Sequence, residues 1–282
     1  MLPTFVIGLR EGLEAALIVG IIATFLQRRS RPDLLRSLWI GVSTAVLICL
    51  GIGITLYVVS REIKQQQQER LETVVGALAV LMVTYMIIWM RRHAREMKGD
   101  LEGAAEAALA KGSGSALVLM AFLAVMREGF ETAVFLLATF QTSHSTGYGV
   151  AGAALGILLA AAIGYGIYRG GIRLNLTRFF TITGVVLVLV AAGLVVTAFH
   201  TAFEAGWLLS GHSEAFDLSW LVRPGTPLES LFTGVLGVQP RPTVIETVGW
   251  LVYVVPMLLF VCWPRRRAAA PRARAVSTSS AH

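Results

Sequence analysis

Apolar residues dominate seven stretches of this chain, and each stretch is about as long as a membrane-spanning helix. Their predicted limits are 4–26, 37–59, 72–90, 115–140, 148–168, 179–201 and 243–263. About 20 apolar residues in a helix cross the roughly 30 Å hydrocarbon core of a bilayer. The pattern therefore predicts an all-α polytopic membrane protein with seven transmembrane helices, located as a multi-pass protein in the cell (plasma or inner) membrane.

Basic residues between these stretches indicate which way the chain crosses the membrane. Most of the Lys and Arg outside the stretches lie in the odd-numbered loops and in the C-terminal tail. Because positive residues accumulate on the cytoplasmic side, this asymmetry predicts the N-terminus outside and the C-terminus in the cytoplasm. The net charge of +7 then reflects orientation and contact with membrane lipid, and nucleic acid is not an expected partner.

Two of the apolar stretches each contain a cluster of charged residues of the form R-E-G-x-E. The first cluster occupies residues 10–14 and the second occupies residues 127–131. A charged residue at the centre of a bilayer costs about 2.5–3.5 kcal/mol on insertion scales. Charges that carry such a cost in two separate helices are expected to serve function.

The spacing within each cluster brings its carboxylates together. Residues four apart on an α-helix lie about 40° apart around the axis, so Arg10 and Glu14 share a face with Glu11 at its edge. The second cluster repeats this geometry. Four carboxylates and two guanidiniums leave excess negative charge, and oxygen ligands suit hard cations such as Mg²⁺, Ca²⁺, Mn²⁺ and oxidised iron. The predicted metal ligands are Glu11, Glu14, Glu128 and Glu131, and the predicted organisers of these ligands are Arg10 and Arg127.

Small residues also repeat between the two halves of the chain. Every fourth residue is small, before a closing tyrosine, over 41–57 in the second stretch and over 152–168 in the fifth. Such ridges allow membrane helices to approach closely. Three spans per repeat invert the second copy, so the pattern predicts an inverted 3+3 repeat plus one helix, a plan found in secondary transporters.

The predicted organisation is a single transmembrane permease domain over residues 1–264, followed by a basic disordered cytoplasmic tail over 265–282. Within the domain we expect repeat one at about 1–92, repeat two at about 115–201, an outer cap at about 202–242 and the seventh helix at about 243–263. The polar segment 61–72 is expected to extend a helix, and 91–112 is expected to form a cytoplasmic amphipathic helix.

Polar residues at the outer ends of the helices are candidates for an ion entrance. His200 and Glu204 are four residues apart, and Glu72 and Glu246 each open a stretch from the outside. Either an entrance site or ordinary helix ends would explain them, because carboxylates are favoured at helix N-termini. Trp89 lies near the inner end of its stretch, where an interfacial aromatic anchor is expected.

The two clusters closely resemble the paired R-E-x-x-E motifs of the oxidase-coupled iron permeases, the fungal Ftr-type and bacterial EfeU-like proteins. The resemblance extends over nearly the whole chain, including the outer segment after His200. It implies inward transport of iron as the substrate, with no resident cofactor and no enzymatic activity of the chain itself. It further implies that the motif glutamates are ligands along the iron pathway, and that a separate extracytoplasmic iron-binding or iron-oxidising protein is the partner.

Two other functions are compatible with the charged clusters. An exporter or exchanger of small organic ions such as amino acids could use acidic and basic pairs to hold a zwitterion. A membrane-embedded carboxylate-iron enzyme is the second alternative, although such sites commonly add histidines, and none of the five histidines lies near either motif in sequence. The residues leave open whether ferrous or ferric iron is carried.

Overall fold

Seven long helices form the described part of this protein, as a computed structural model shows. The structure describes residues 1–30, 32–62, 65–93, 99, 103, 106–107, 114–141, 146–170, 175–207, 213–220, 232–233 and 237–263. The helices are α1 (Leu2–Arg28), α2 (Pro32–Glu62), α3 (Gln65–His93), α4 (Gly114–Gln141), α5 (Thr146–Tyr168), α6 (Leu176–Glu204) and α7 (Val244–Cys262). No strand occurs within these ranges, so the all-α prediction is confirmed for the described part of the chain.

Five of these helices are long and apolar enough to cross a membrane. Their candidate spans are Asp33–Val59, Gln67–Arg91, Gly147–Tyr168, Arg178–Glu204 and Val244–Cys262. The remaining two, α1 and α4, are the helices that carry the charged clusters. Helix α1 occupies the interior of the bundle, because none of its residues from Pro3 to Leu26 is exposed.

Local sequence signals explain where several helices begin. Pro3 lies in the first turn of α1, where a missing backbone N–H costs nothing. The Asn175 side chain accepts a hydrogen bond from the Arg178 backbone at 3.2 Å and caps α6. Helix α7 begins with a capping box between Thr243 and Glu246, which satisfies two backbone N–H groups reciprocally. The polar segment before residue 72 is helical from Gln65 onward, as predicted.

The bundle is built from pairs of helices taken from different halves of the chain. Helix α1 packs against α5, α2 packs against α4, α3 packs against α6, and α7 packs on α6. The small-residue ridges lie at the first two of these contacts. A Cβ at Gly156 of α5 would overlap the backbone of Phe5 and Leu9, so only glycine allows α1 to come this close.

The described part of the outer segment runs antiparallel beside the start of α7. Glu214 and Thr243 form an isolated β-bridge, and the Ala215 backbone donates a hydrogen bond to the Pro242 carbonyl oxygen at 2.9 Å. Beyond the end of α6, residues 232–233 are the described residues of the predicted cap that are helical. The tail 265–282 and most of the amphipathic segment 91–112 lie outside the described residues.

Candidate functional site

The first charged cluster is buried on the central helix α1. The Arg10 side chain is only 1% exposed, and its Nε lies 3.3 Å from Glu14 Oε1. Its Nη1 lies 3.5 Å from Glu11 Oε1 and donates to Met86 Sδ of α3 at 3.1 Å. One guanidinium thus contacts both glutamates of its own motif and a thioether of a neighbouring helix.

The second charged cluster, on α4, is less enclosed. Arg127 donates from Nε to Glu131 Oε1 at 3.0 Å, and the same Nε lies 3.8 Å from Glu128 Oε1. The Arg127 side chain is 48% exposed, and its guanidinium carbon lies 5.6 Å from the centre of the Trp89 ring of α3. The two motifs therefore share a local geometry but have different surroundings.

Three carboxylates from the two motifs converge. One oxygen each from Glu11, Glu128 and Glu131 lie within 4.8 Å of one another, a grouping that could hold a metal ion. The sequence pattern predicted a fourth member, Glu14. The structure leaves Glu14 outside this group, and its Oε1 lies 3.3 Å from Arg10 Nε.

Several oxygens of this group are buried without a hydrogen-bond partner among the described residues. They are both carboxylate oxygens of Glu11 and Oε2 of Glu128. A buried polar atom without a partner costs about 1–3 kcal/mol, and more when it is charged. Carboxylate oxygens aimed at one point would recover that cost by binding a cation, which is the chemistry this arrangement can perform.

Close packing of α2 against α4 brings the second motif into place. A Cβ at Gly129 would lie 2.5 Å from the Sγ of Cys49, so the glycine between the motif residues is a contact point for α2. Cys49 is buried and carries a free thiol, so it acts as a packing residue at this contact. The middle residue of R-E-G-x-E therefore serves helix packing, while its neighbours serve the charged group.

Two residues of α3 at this site were missed as site residues by sequence reasoning. Met86 contacts Arg10, and Trp89 lies beside Arg127. They are three residues apart and share one face of α3, so one helix contacts both motif arginines. Trp89 was predicted as an interfacial anchor, and the sequence carries no signal that could place its ring beside an arginine 38 positions away.

Three of the four predicted entrance residues lie close together where α6 ends and α7 begins. His200 Nδ1 lies 3.0 Å from Glu246 Oε1, and His200 Nε2 lies 3.5 Å from Glu204 Oε1. Glu246 is buried and also accepts a hydrogen bond from the Thr243 backbone at 2.8 Å. Glu72 accepts from Gln68 Nε2 at 2.9 Å and is not among the ion pairs of His200 in the described residues.

Acidic residues of the outer cap pair with a nearby arginine. Arg241 lies 3.9 Å from Glu214 and 3.7 Å from Asp217. Hydrogen bonds from the side chain and backbone of Ser219 hold the pKa of the exposed Asp217 carboxyl below its usual value. These contacts are typical of exposed surface residues, and the nearby His212 lies outside the described part.

Comparisons with known proteins show what the whole chain is similar to. The model of the Iron permease FTR1 family matches residues 1–269. The chain is 42% identical over 275 residues to a ferrous iron permease, EfeU, of Escherichia coli O6:K15:H31 (strain 536 / UPEC), an alignment that covers 96% of this chain and 99% of the relative. It is 41% identical over 271 residues to EfeU of Yersinia pestis, with coverage of 95% and 96%. No solved structure matches this chain.

The match covers almost the whole chain, so it includes both charged clusters and all seven helices. The resemblance inferred from the two R-E-x-x-E motifs is therefore confirmed. Five helices that can span a bilayer and a family match of this extent identify a multi-pass protein of the cell membrane, and the chain belongs to the iron permease FTR1 family.

Proposed function

We propose that this protein carries iron inward across the cell membrane through a site formed by both R-E-x-x-E motifs. The observation that carries the proposal is the convergence of Glu11, Glu128 and Glu131, whose buried oxygens include three without hydrogen-bond partners in the described residues. Oxygen ligands of this kind suit a hard or borderline cation. The relatives are named ferrous iron permeases, which supports iron, in its ferrous form, as the ion.

The four motif glutamates receive two different roles in this proposal. Glu11, Glu128 and Glu131 bind the ion. Glu14, predicted from the sequence as a further ligand, holds the guanidinium of Arg10 at 3.3 Å. Arg10 also contacts Glu11 at 3.5 Å, so the division rests on position: oxygens of Glu11, Glu128 and Glu131 lie within 4.8 Å of one another, and Glu14 is not in that group.

The proposed architecture is seven transmembrane helices with an inverted 3+3 repeat, in which α1, α2 and α3 correspond to α4, α5 and α6. If α1, α2 and α3 exchange places with α4, α5 and α6, the α1–α5 contact becomes the α4–α2 contact. The α3–α6 contact becomes itself. All three contacts occur in the structure. Inverted repeats place their substrate site between the repeats near the midplane. The carboxylate group between α1 and α4 agrees with that position.

The proposed orientation places the N-terminus outside, the C-terminus in the cytoplasm and the outer cap on the extracytoplasmic side, where a separate iron-binding or iron-oxidising protein would deliver the ion. His200, Glu204 and Glu246 then lie at the outer ends of α6 and α7 as an entrance site, with Glu72 on the neighbouring helix α3. The capping of α7 by Glu246 gives this residue a structural role as well.

Trp89 is proposed to position Arg127 and, through it, Glu131. Trp89→Leu is expected to lower uptake of labelled iron by roughly three- to tenfold, the equivalent of a cation–π contact, whereas Trp89→Phe should retain most uptake because a ring remains. Tyr85→Leu is the matched control, since Tyr85 is an exposed aromatic residue of the same helix. Equal losses in Trp89→Leu and Tyr85→Leu would contradict a specific role for the Trp89 ring.

Transport by purified protein in liposomes tests the proposed function. Labelled ferrous iron is expected to enter the liposomes, and unlabelled ferrous iron is expected to compete while amino acids do not. Competition by amino acids would instead favour an exchanger of organic ions. Oxidation of iron without any flux would favour a carboxylate-iron enzyme, and either result would overturn the proposal.

A further inference from the structure

A cavity separates the last turns of α1 from the end of α5. Its volume is about 510 Å³, within the range of about 300–1,000 Å³ that is typical of ligand pockets. Its inner walls come from both helices and are mostly apolar, with hydroxyl groups from Thr24 and Tyr168. The apolar wall residues are Ala16, Leu17, Ile21, Phe25, Gly164 and Ile167.

Gly20 leaves the middle of this cavity open. A Cβ at Gly20 would meet no atom within 4 Å, although Gly8 and Gly12 on the same helix are in tight contact with α5. Helices α1 and α5 are therefore in close contact at Gly8 and Gly12 and are farther apart at Gly20. The result is a space beside α1 whose lining extends from Ala16 to the exposed residues Arg28 and Arg29 at the end of the helix.

Two adjacent basic residues lie at the mouth of the cavity. Arg28 and Arg29, the last residue of α1 and its C-cap, are both exposed lining residues, and the Arg29 guanidinium lies 5.6 Å from the centre of the Phe25 ring. Glu106 also lines the mouth, 4.0 Å from Arg29, with side chains 59% and 65% exposed. Among the described lining residues, two arginines against one glutamate leave the mouth with a net positive charge.

We propose that this cavity binds one anionic phospholipid, with the phosphate at Arg28 and Arg29 and an acyl chain along the apolar walls beside Gly20. Basic pockets between transmembrane helices on the cytoplasmic side are suited to anionic lipid headgroups. The apolar walls disfavour a small hydrophilic anion, and two arginines at the mouth disfavour a cation. The lipid site is independent of the iron site, and the orientation proposed above assigns it to the cytoplasmic leaflet.

Titration of the purified, delipidated full chain with phosphatidylglycerol, followed by native mass spectrometry, tests this proposal. Phosphatidylglycerol is expected to bind more tightly than phosphatidylcholine. Replacing both arginines (Arg28→Gln with Arg29→Gln) should weaken phosphatidylglycerol binding by about fivefold for each arginine. Arg36→Gln with Arg178→Gln is the matched control, because both side chains belong to exposed residues outside the cavity and the charge change is the same.

Two further variants separate the headgroup from the acyl chain. Glu106→Gln removes the negative charge at the mouth and should tighten phosphatidylglycerol binding. Gly20→Leu fills the open space without changing any charge, and should weaken it severalfold while thermal unfolding in the same detergent stays near that of the natural chain, since leucine favours the helix.

Specific results would overturn the lipid site. Equal losses in the two double-arginine variants would mean nonspecific attraction between basic residues and lipid. Weaker binding after Glu106→Gln would mean that the mouth does not receive an anion. Unchanged phosphatidylglycerol binding by a folded Gly20→Leu variant would mean that no acyl chain occupies the cavity.

Discussion

Replacing Glu11 with glutamine is expected to lower iron uptake by at least about 100-fold, while the protein still accumulates in the membrane. Glu11 is buried, and both of its carboxylate oxygens lack hydrogen-bond partners among the described residues. Glutamine keeps the shape of the side chain and removes the charge that would bind the ion. Loss of a second-shell partner alone typically costs 10- to 100-fold in metal affinity or activity, so loss of a ligand should cost more.

We expect Glu11→Gln to preserve or raise the stability of the protein although it lowers iron uptake. Arg10 keeps Glu14 as a partner in this variant, and one buried carboxylate is removed, so Glu11→Gln is expected to leave the midpoint of thermal unfolding unchanged or to raise it. Uptake of labelled iron by liposomes and thermal unfolding in detergent measure the two effects separately. Normal uptake by Glu11→Gln would contradict the proposed ion site.

Glu14→Gln provides the matched control within the same motif. Its carboxylate lies outside the convergent group and contacts Arg10 at 3.3 Å. Removal of this charge should therefore lower stability more than Glu11→Gln does, and should retain measurable uptake. If both variants lost uptake equally with no difference in stability, the division of roles between Glu11 and Glu14 would be wrong.

Replacing Arg10 with methionine is expected to destabilise the protein by about 3–5 kcal/mol, the cost of breaking a buried ion pair by removing one partner. Arg10 is 1% exposed and contacts Glu11, Glu14 and Met86. Without the guanidinium, two carboxylates remain in the interior with no cation beside them. The expected signs are a lowered unfolding midpoint and reduced accumulation in the membrane.

Two comparisons make the Arg10 prediction specific. Arg127→Met should cost less than Arg10→Met, since the Arg127 side chain is 48% exposed while that of Arg10 is 1% exposed. Arg10→Met combined with Glu14→Leu should recover much of the lost stability, because replacing both partners of a buried pair by apolar residues is often neutral or stabilising. An equal cost for the two arginine variants would contradict the different burial of the two motifs.

The predictions that held best depend on local sequence. Each of the seven apolar stretches lies in a helix of the structure, with one residue at each end of the last stretch as the exception, because length and hydropathy report directly on helix formation in a bilayer. The five candidate spans bear out the membrane protein, and the family match bears out the resemblance drawn from two short motifs. The seven-span count, the inverted repeat and the orientation stay predictions.

The arrangement of the four motif glutamates could not be predicted from local sequence alone. Identical spacing within the two motifs predicts the same helical face for each, and both arginines do contact their own glutamates. Spacing alone could not tell that Glu14 would be separated from the other three carboxylates. That outcome depends on how α1 and α4 approach each other, which is decided by contacts far apart in sequence.

The sequence by itself determined the helices, the two charged clusters and the family, because each is expressed in short runs of residues. Only the tertiary structure decided that Arg10 is enclosed while Arg127 is half exposed, that Met86 and Trp89 of α3 contact one arginine each, and that a cavity opens beside Gly20. The physical reason is that burial and partners are properties of the space between helices. That space depends on how closely glycines such as Gly156 let the helices pack.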